Sequence, residues 1–207
     1  MSTHPIPFNR IKRVAVLGSG VMGSRIACHL AQTGSEVLLL DLPSDEGPRN
    51  SIADGHLKAA IKSNNSPLYS TRFDKRIATG NFDDDMAQLG SCDWIIEVVV
   101  ERLDIKQQLF ERVEAHRKPG TLITSNTSGI PLAQLSEGRS EDFQAHFCGT
   151  HFFNPPRYLP LLEIIPGPKT KPEVLTFLEG YGERILGKQV VMCKDTPAFI
   201  ANRVGVF

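Results

Sequence analysis

Short apolar runs alternate with amphipathic stretches along most of this chain. The apolar runs are strand-sized and bounded by turn residues, and they predict strands over 14–17, 36–41, 76–79, 93–100, 121–124, 146–153, 161–165 and 188–193. The amphipathic stretches predict helices over 21–32 and about 52–62, from 103 to the turn at 118–120, over 172–186, and from 196 to the last residue. Strands that alternate with helices predict an α/β fold with a mostly parallel, doubly wound sheet.

Two segments fall outside this alternation. The stretch 42–75 is polar and contains three prolines, and it predicts a helical excursion from the sheet after the second strand. The last residues predict a helix that has no stop signal, so we expect the natural chain to continue beyond Phe207. The expected organisation is an N-terminal extension over 1–10, a nucleotide-binding domain over 11–195, and over 196–207 the start of a linker to a further domain.

Residues 14–41 read VAVLGSGVMGSRIACHLAQTGSEVLLLD and join a strand, a glycine-rich turn, a helix and a second strand. Gly18 permits a tight turn, Gly20 leaves room for a pyrophosphate, and Gly23 lets the helix press against the sheet. The helix N-terminus offers N–H groups to the phosphates. Asp41 ends the second strand, where it suits a ribose diol and repels a 2′-phosphate. The segment therefore predicts a Rossmann-type site for NAD rather than NADP; the alternative is a βαβ unit whose glycines serve packing alone.

Composition and charge exclude several classes of protein. The chain has 207 residues, of which 41% are hydrophobic and 22% charged, as in ordinary globular proteins. Its 23 basic and 23 acidic side chains balance, so the sequence does not indicate a basic surface for binding nucleic acid. Its apolar runs fall short of the roughly 18 residues that a membrane-spanning helix needs. Residues 1–10 lack the apolar centre of a secretory signal. The four cysteines are scattered without a CxxC pair, which predicts reduced, buried thiols in a cytoplasmic protein.

A second group of residues suits the oxidation of an alcohol. The reaction needs a base with a pKa near neutrality, which favours histidine. His151 lies at the end of a predicted strand, where ligands bind in doubly wound sheets. Glu163, inside the apolar run LPLLEII, is a candidate partner for the other imidazole nitrogen, and Ser128 and Asn202 are candidates to hold the substrate oxygen.

Each of these residues also has a purely structural interpretation. His151 is also compatible with a hydrogen-bonded core histidine, and Glu163 with a solvent-facing position on an edge strand. The segment SNTSG, which contains Ser128, suits a turn and a helix N-cap. Asn202 suits a cap or an exposed position.

Several segments together resemble the NAD-binding domain of the 3-hydroxyacyl-CoA dehydrogenases. They occur in the order GSGVMG, EVVVERLDIK, SNTSG, THFFNPPRYLPLLEIIP and KDTPAFIANR, and the likeness covers about residues 11–207. It is weakest over 42–75. The long forms EVVVER and HFFNPPRYLPLLEIIP look most like the bacterial multifunctional fatty-acid oxidation proteins, in which the dehydrogenase portion is joined to an enoyl-CoA hydratase portion.

The resemblance implies NAD-dependent oxidation of (S)-3-hydroxyacyl-CoA to 3-oxoacyl-CoA in fatty-acid β-oxidation. It implies that His151 is the catalytic base paired with Glu163, and that Ser128 and Asn202 contact the substrate. The residues it places at the cofactor are Gly18, Gly20, Val21, Met22, Gly23, Asp41, Val99, Val100, Glu101, Lys106, Ser128 and Asn154. The alternative for Lys106 is a charge on a helix surface, and for Glu101 the first turn of a helix, where acids are favoured.

The resemblance also implies features that the chain shows incompletely or lacks. In the family the excursion after the second strand helps to hold the CoA tail, and Lys58 and Lys62 are candidates for a phosphate contact there. A C-terminal helical domain completes the acyl site and often forms the dimer, and this sequence ends before it. No metal site is expected.

Two other functions are compatible with part of the sequence. The β-hydroxyacid dehydrogenases share a GxGxMG turn and act on small hydroxy acids, but HFFNP and DTPxFxxNR do not belong to them. A non-catalytic NAD-binding or structural protein would keep the glycine turn without needing His151 and Glu163.

Overall fold

A computed structural model describes residues 11–205, and its eight strands form one sheet. The strands are β1 (Arg13–Leu17), β2 (Glu36–Asp41), β3 (Ile77–Asn81), β4 (Trp94–Glu97), β5 (Leu122–Ser125), β6 (Phe147–Phe152), β7 (Leu161–Pro166) and β8 (Gln189–Met192). The helices are α1 (Val21–Gln32), α2 (Ser51–Lys62), α3 (Leu103–His116), α4 (Leu132–Leu135), α5 (Glu141–Ala145), α6 (Pro172–Arg184) and α7 (Ala201–Gly205). Short 3₁₀ helices span Thr71–Arg76 and Met86–Ser91. The predicted extension over 1–10 lies outside the described residues.

The sheet has the strand order β3-β2-β1-β4-β5-β6-β7-β8. All neighbouring pairs are parallel except β6 and β7, which run antiparallel. The chain moves outward from β1 in one direction through β2 and β3, then crosses back to β4 and moves in the other direction. The carboxyl ends of β1 and β4 therefore flank the point at which the strand order reverses, which is where doubly wound sheets bind nucleotides. The predicted doubly wound, mostly parallel fold is confirmed.

Apolar side chains fill both faces of the sheet. In β1, Val14 and Val16 belong to one buried cluster, while Ala15 and Leu17 belong to the other. Helices α1 and α6 cover the first face, where Trp94 meets Tyr181 edge to face at 5.9 Å between ring centroids. Helix α3 covers the second face. The short unbroken apolar runs of the sequence are thus strands buried on both sides, as expected for a parallel sheet.

Two predicted boundaries were wrong. β4 was expected to reach residue 100 but ends at Glu97, because the Glu97 carboxylate accepts the N–H of Val99 at 2.7 Å and turns the backbone out of the sheet. The last helix was expected to open at 196 but begins at Ala201. Ala198 and Phe199 have φ values of 64° and 45°, in the left-handed region, so a right-handed helix cannot run through them. Each such residue costs about 1–3 kcal/mol, so other contacts must hold this turn.

The predicted excursion after β2 contains α2 and the 3₁₀ helix Thr71–Arg76. The side chain of Arg157, in the loop after β6, links this excursion to the sheet. Arg157 donates to the carbonyls of Ser66 and Leu68 at 3.0 and 3.1 Å, and it lies over the ring of Tyr69. The excursion and the loop that follows β6 are therefore held against each other.

The glycine-rich turn between β1 and α1 shows why each glycine is needed. Gly18 has φ +102°, and a Cβ there would lie 2.7 Å from the carbonyl oxygen of Val98. A Cβ on Gly23 would lie 1.8 Å from the carbonyl oxygen of Gly18, so the helix packs directly on the turn. A Cβ on Gly20 would meet nothing within 4 Å, which leaves the backbone open toward solvent. Two glycines serve close packing, and the third leaves an open cradle.

This difference predicts that substitutions at two of the glycines separate stability from cofactor binding. Gly23→Ala forces its methyl group into the backbone and lowers the free energy of unfolding by about 3 kcal/mol. Gly20→Ala changes that free energy by less than about 0.5 kcal/mol, but it weakens NADH binding at least tenfold, because the methyl group fills the cradle. Urea denaturation and calorimetric titration with NADH measure the two effects. Wild-type NADH affinity in Gly20→Ala would remove Gly20 from the phosphate site.

Candidate active site

His151 and Glu163 face each other across the only antiparallel strand pair in the described sheet. Nδ1 of His151 lies 2.8 Å from Oε2 of Glu163, and the two residues are 6% and 1% exposed. A carboxylate only accepts hydrogen bonds, so Nδ1 carries the proton and Nε2 keeps its lone pair. Within residues 11–205 no protein group hydrogen-bonds Nε2, which is therefore the nitrogen available to a substrate.

The second oxygen of Glu163 connects this pair to the end of the described chain. Oε1 accepts the backbone N–H groups of Ile200 and Ala201 at 3.1 and 2.8 Å. Phe199 places its ring 5.8 Å from that of His151, and Phe153 lies on it at 4.5 Å. The imidazole of His151 thus contacts two aromatic rings, and each carboxylate oxygen of Glu163 has a hydrogen-bond donor.

Ser128 and Asn202, the predicted substrate contacts, also lie together. The side-chain amide of Asn202 donates to the carbonyl oxygen of Ser128 at 3.4 Å. The turn that carries Ser128 is joined to β6, because Oδ1 of Asn126 accepts the N–H of Phe152 at 2.9 Å. Two hydrogen bonds therefore connect Asn202, the turn of Ser128 and the strand of His151.

Glu101 organises the SNTSG turn. Its Oε1 accepts the hydroxyl of Thr127 at 2.6 Å and the backbone N–H groups of Ser128 and Gly129 at 2.9 and 3.0 Å. Burial acts to raise the pKa of Glu101, but the hydrogen bond from Thr127 and the charge of Lys106 outweigh it and lower that pKa. The ionised Glu101 therefore fixes the backbone of Ser128, a role beyond the favourable charge that an acid supplies in the first turn of a helix.

Lys106 is a buried ion-pair residue, so its interpretation as a surface charge was wrong. It is 1% exposed, and its ammonium group lies 2.6 Å from Oε1 of Glu97, 3.2 Å from the carbonyl oxygen of Val99 and 3.3 Å from Oε2 of Glu101. These three acceptors match its three hydrogens. Its role toward NAD stays a prediction.

Glu97 was missed in the sequence, although an acid inside the apolar run 93–100 was the available signal. The residue is fully buried, and it also accepts the hydroxyl of Ser125. Burial raises the pKa of Glu97, and the charge of Lys106 opposes that rise. The pair lies directly behind the loop that carries Val99 and Glu101.

The predicted ribose acid is already oriented. Oδ2 of Asp41 accepts the backbone N–H of Ser19 at 2.6 Å and its hydroxyl at 2.5 Å, while Oδ1 accepts the N–H of Leu42 at 2.7 Å. The Ser19 hydroxyl is also 2.8 Å from Nδ1 of His56 on α2. Roles for Ser19 and His56 were not predicted from the sequence, because a serine and a histidine at these positions carry no sequence signal for contact with Asp41 or with each other. The contacts fix the carboxylate at the carboxyl end of β2.

The remaining predicted cofactor residues lie at the same edge of the sheet. Val21 and Met22 open α1, Val99 and Val100 follow β4, and Asn154 follows β6 with an exposed side chain. Together with the open cradle at Gly20, a helix N-terminus and an acid at the end of β2 fit a dinucleotide.

Other kinds of site find no support in the described residues. No group of three or more His, Cys, Asp or Glu side chains within 11–205 is arranged to hold a metal ion. No helix in that range is both long and apolar enough to cross a membrane. The four cysteines are free and buried, as expected from the sequence.

The buried ion pair predicts a large loss of stability in Lys106→Met. The substitution keeps the length of the side chain but leaves the Glu97 carboxylate buried without its cation, which costs about 3–5 kcal/mol. Arg102→Met is the control, because the pair of Arg102 with Asp104 is exposed, and such pairs contribute about 0–1 kcal/mol. Urea denaturation measures both. A loss below 1 kcal/mol in Lys106→Met would contradict the assignment of a charged Glu97–Lys106 pair.

Comparison with known proteins identifies the family. Residues 13–196 match the family model of the 3-hydroxyacyl-CoA dehydrogenase, NAD binding domain. A probable 3-hydroxyacyl-CoA dehydrogenase of Bacillus subtilis is 50% identical over 95% of this chain and 27% of its own length. A putative fatty acid oxidation complex trifunctional enzyme of Rickettsia felis is 42% identical over 96% of this chain and 28% of its own length.

A solved structure agrees with the sequence comparisons. The 3-hydroxybutyryl-CoA dehydrogenase of Escherichia coli superposes with a TM-score of 0.80 at 32% identity, over 94% of this chain and 40% of that one. The chain thus spans well under two thirds of the length of each of these relatives. The NAD cofactor predicted from the glycine turn and Asp41 is confirmed by the family match. This chain belongs to the 3-hydroxyacyl-CoA dehydrogenase family and comprises its NAD-binding domain.

Proposed function

We propose that this chain provides the NAD site and the catalytic base for oxidation of (S)-3-hydroxyacyl-CoA to 3-oxoacyl-CoA in fatty-acid β-oxidation. The observation that carries the proposal is the 2.8 Å contact between Nδ1 of His151 and Oε2 of Glu163. It leaves Nε2 as a base at the carboxyl end of the sheet, the edge at which the glycine turn also lies. A nucleotide-binding domain with packing glycines alone would need no such pair.

The chemistry follows from the protonation state of the imidazole. When bound, NAD would supply the acceptor for a hydride from C3 of the substrate. Nε2 of His151 accepts the proton of the 3-hydroxyl group, and the resulting imidazolium is stabilised by the Glu163 carboxylate. Glu163 also fixes the tautomer, because its oxygen only accepts from Nδ1. The hydroxyl of Ser128 and the amide of Asn202 are positioned to hold the substrate oxygen.

The acyl-CoA substrate and the wider setting are further parts of the proposal. The Escherichia coli relative is named for 3-hydroxybutyryl-CoA and the Rickettsia relative for fatty acid oxidation, which supports an acyl-CoA substrate. Buried, free cysteines support a cytoplasmic location. We place the nucleotide-binding domain over 11–195 and the start of a linker over 196–207, with any homo-oligomer formed through a C-terminal helical domain.

The base assignment predicts that kcat and NAD affinity respond separately. His151→Ala lowers kcat by about 10²- to 10⁴-fold because it removes the base. Glu163→Gln lowers kcat by a similar order, about 10²-fold or more, because an amide no longer fixes the tautomer. NADH affinity stays within twofold of wild type in both. The rates are measured on the protein expressed from its complete open reading frame, with acetoacetyl-CoA and NADH.

A second histidine offers a matched control. His146 precedes the same strand and contacts Asp142, with Nδ1 3.3 Å from Oδ1, at the opposite edge of the sheet. His146→Ala is therefore expected to leave kcat unchanged. Equal losses in His146→Ala and His151→Ala would contradict the assignment of His151 as the base.

A substrate comparison separates the proposed function from its two alternatives. We expect turnover of acetoacetyl-CoA with NADH and none of small β-hydroxy acids with NAD. Turnover of the small acids alone would indicate a β-hydroxyacid dehydrogenase. NADH binding without turnover of either class would indicate a non-catalytic NAD-binding protein.

A further inference from the structure

The segment that joins β8 to α7 is held by a carboxylate at each end. At its start, Oδ1 and Oδ2 of Asp195 accept the backbone N–H groups of Leu132 and Ala133 at 3.0 and 3.2 Å. At its end, Oε1 of Glu163 accepts the N–H groups of Ile200 and Ala201. The five residues between Asp195 and Ala201 include the two left-handed positions of the described chain that are not glycine.

The shape of this segment determines what surrounds the candidate base. The left-handed conformations of Ala198 and Phe199 turn the Phe199 ring inward, where it is 2% exposed and lies 5.8 Å from the ring of His151. Because such conformations are unfavourable for residues with a side chain, the turn persists only while its ends are fixed. Asn202 follows directly, so its position depends on the same turn.

Asp195 also closes a ring of contacts between the two halves of the site. The helix that begins at Leu132 follows the turn of Ser128, and Asp195 binds its first N–H groups. Asn202 binds the carbonyl of Ser128 from the other end of the segment. Asp195 therefore fixes the segment of Asn202 to the segment of Ser128, although it touches neither residue.

We propose that Asp195 is a positioning residue of the active site: through Leu132 and Ala133 it holds the turn that sets Phe199 over His151 and Asn202 beside Ser128. The proposal rests on the proposed function insofar as it concerns turnover. Asp195, the acid of the DTPAFIANR segment, belongs neither to the proposed cofactor site nor to the His151–Glu163 pair, and the proposal gives it a role.

The test compares Asp195→Ala with Asp93→Ala, which removes a carboxylate that makes the same kind of contact elsewhere. Oδ2 of Asp93 also accepts two backbone N–H groups, those of Lys12 and Arg13 at 2.9 and 3.2 Å, at the amino end of the strands. With acetoacetyl-CoA and NADH, we expect Asp195→Ala to lower kcat at least tenfold while NADH affinity stays within twofold of wild type. Asp93→Ala is expected to lower stability without changing kcat. A kcat for folded Asp195→Ala within twofold of wild type would overturn the proposal.

A readout that needs no turnover accompanies the kinetics. In the ¹⁵N-labelled chain, the Nδ1 proton of His151, assigned by its loss in His151→Ala, reports whether Phe199 and Glu163 still enclose it. We expect it to exchange with water at least tenfold faster in Asp195→Ala than in wild type, and at the wild-type rate in Asp93→Ala. An unchanged exchange rate in Asp195→Ala overturns the proposal whatever the kinetics show.

The two readouts also separate the proposal from the function on which it rests. If the wild-type protein fails to reduce acetoacetyl-CoA, the proposed function fails, and the exchange rate alone decides whether Asp195 positions the segment. Should Asp195→Ala not fold, Asp195→Asn is measured instead. Its single carbonyl oxygen accepts one of the two N–H groups, so an intermediate exchange rate and kcat are expected, and wild-type values of both would overturn the proposal.

Discussion

The antiparallel return of β7 along β6 is the constraint on which the proposed active site depends. It places Glu163 directly opposite His151, so that two side chains twelve positions apart meet at 2.8 Å. Had β7 continued the parallel order, a crossover connection would separate the strands and their ends would not oppose each other in this way. His151 also lies near the carboxyl end of β6, and no protein group among the described residues hydrogen-bonds its Nε2.

Two buried glutamates of this domain, Glu97 and Glu163, have different hydrogen-bond partners. Glu97 has a lysine, a serine hydroxyl and a backbone N–H as partners, which is a closed arrangement suited to support. Glu163 has no lysine; its partners are an imidazole, two backbone N–H groups and the thiol of Cys193. In the proposed mechanism, a lysine beside Glu163 would weaken the stabilisation that this carboxylate gives to an imidazolium at His151. The Glu97–Lys106 pair holds a loop in place, whereas the carboxylate of Glu163 has His151 as its side-chain nitrogen partner.

The sequence was sufficient for the nucleotide half and insufficient for the surroundings of the base. Residues 14–41 could be assigned because each glycine has a local steric reason, and the apolar runs gave the strands with small errors at their ends. The burial of Lys106 could not be predicted, because its position in the pattern of α3 does not show that its ammonium group contacts the buried Glu97. The left-handed turn at Phe199 was equally hidden. PAFIANR contains helix-forming alanines, whereas the contacts that fix the segment involve Glu163 and, through Asp195, Leu132 and Ala133, all of which are distant from it in sequence.

The hydrogen bonds to the two carboxylates are comparable in energy to the backbone strain of that turn. Two left-handed residues cost together about 2–6 kcal/mol, whereas a hydrogen bond to a charged group contributes about 1.5–3 kcal/mol. The two bonds at Glu163 contribute together about 3–6 kcal/mol, which is comparable to this strain, and the two bonds at Asp195 contribute a similar amount. In the proposed function, Ser128 and Asn202 hold the substrate. Because Asn202 directly follows the turn, a substrate bound in this way adds contacts to the same segment and stabilises the position of Phe199 beside His151. Under that proposal, one set of contacts favours both the binding of the substrate and the enclosure of the base.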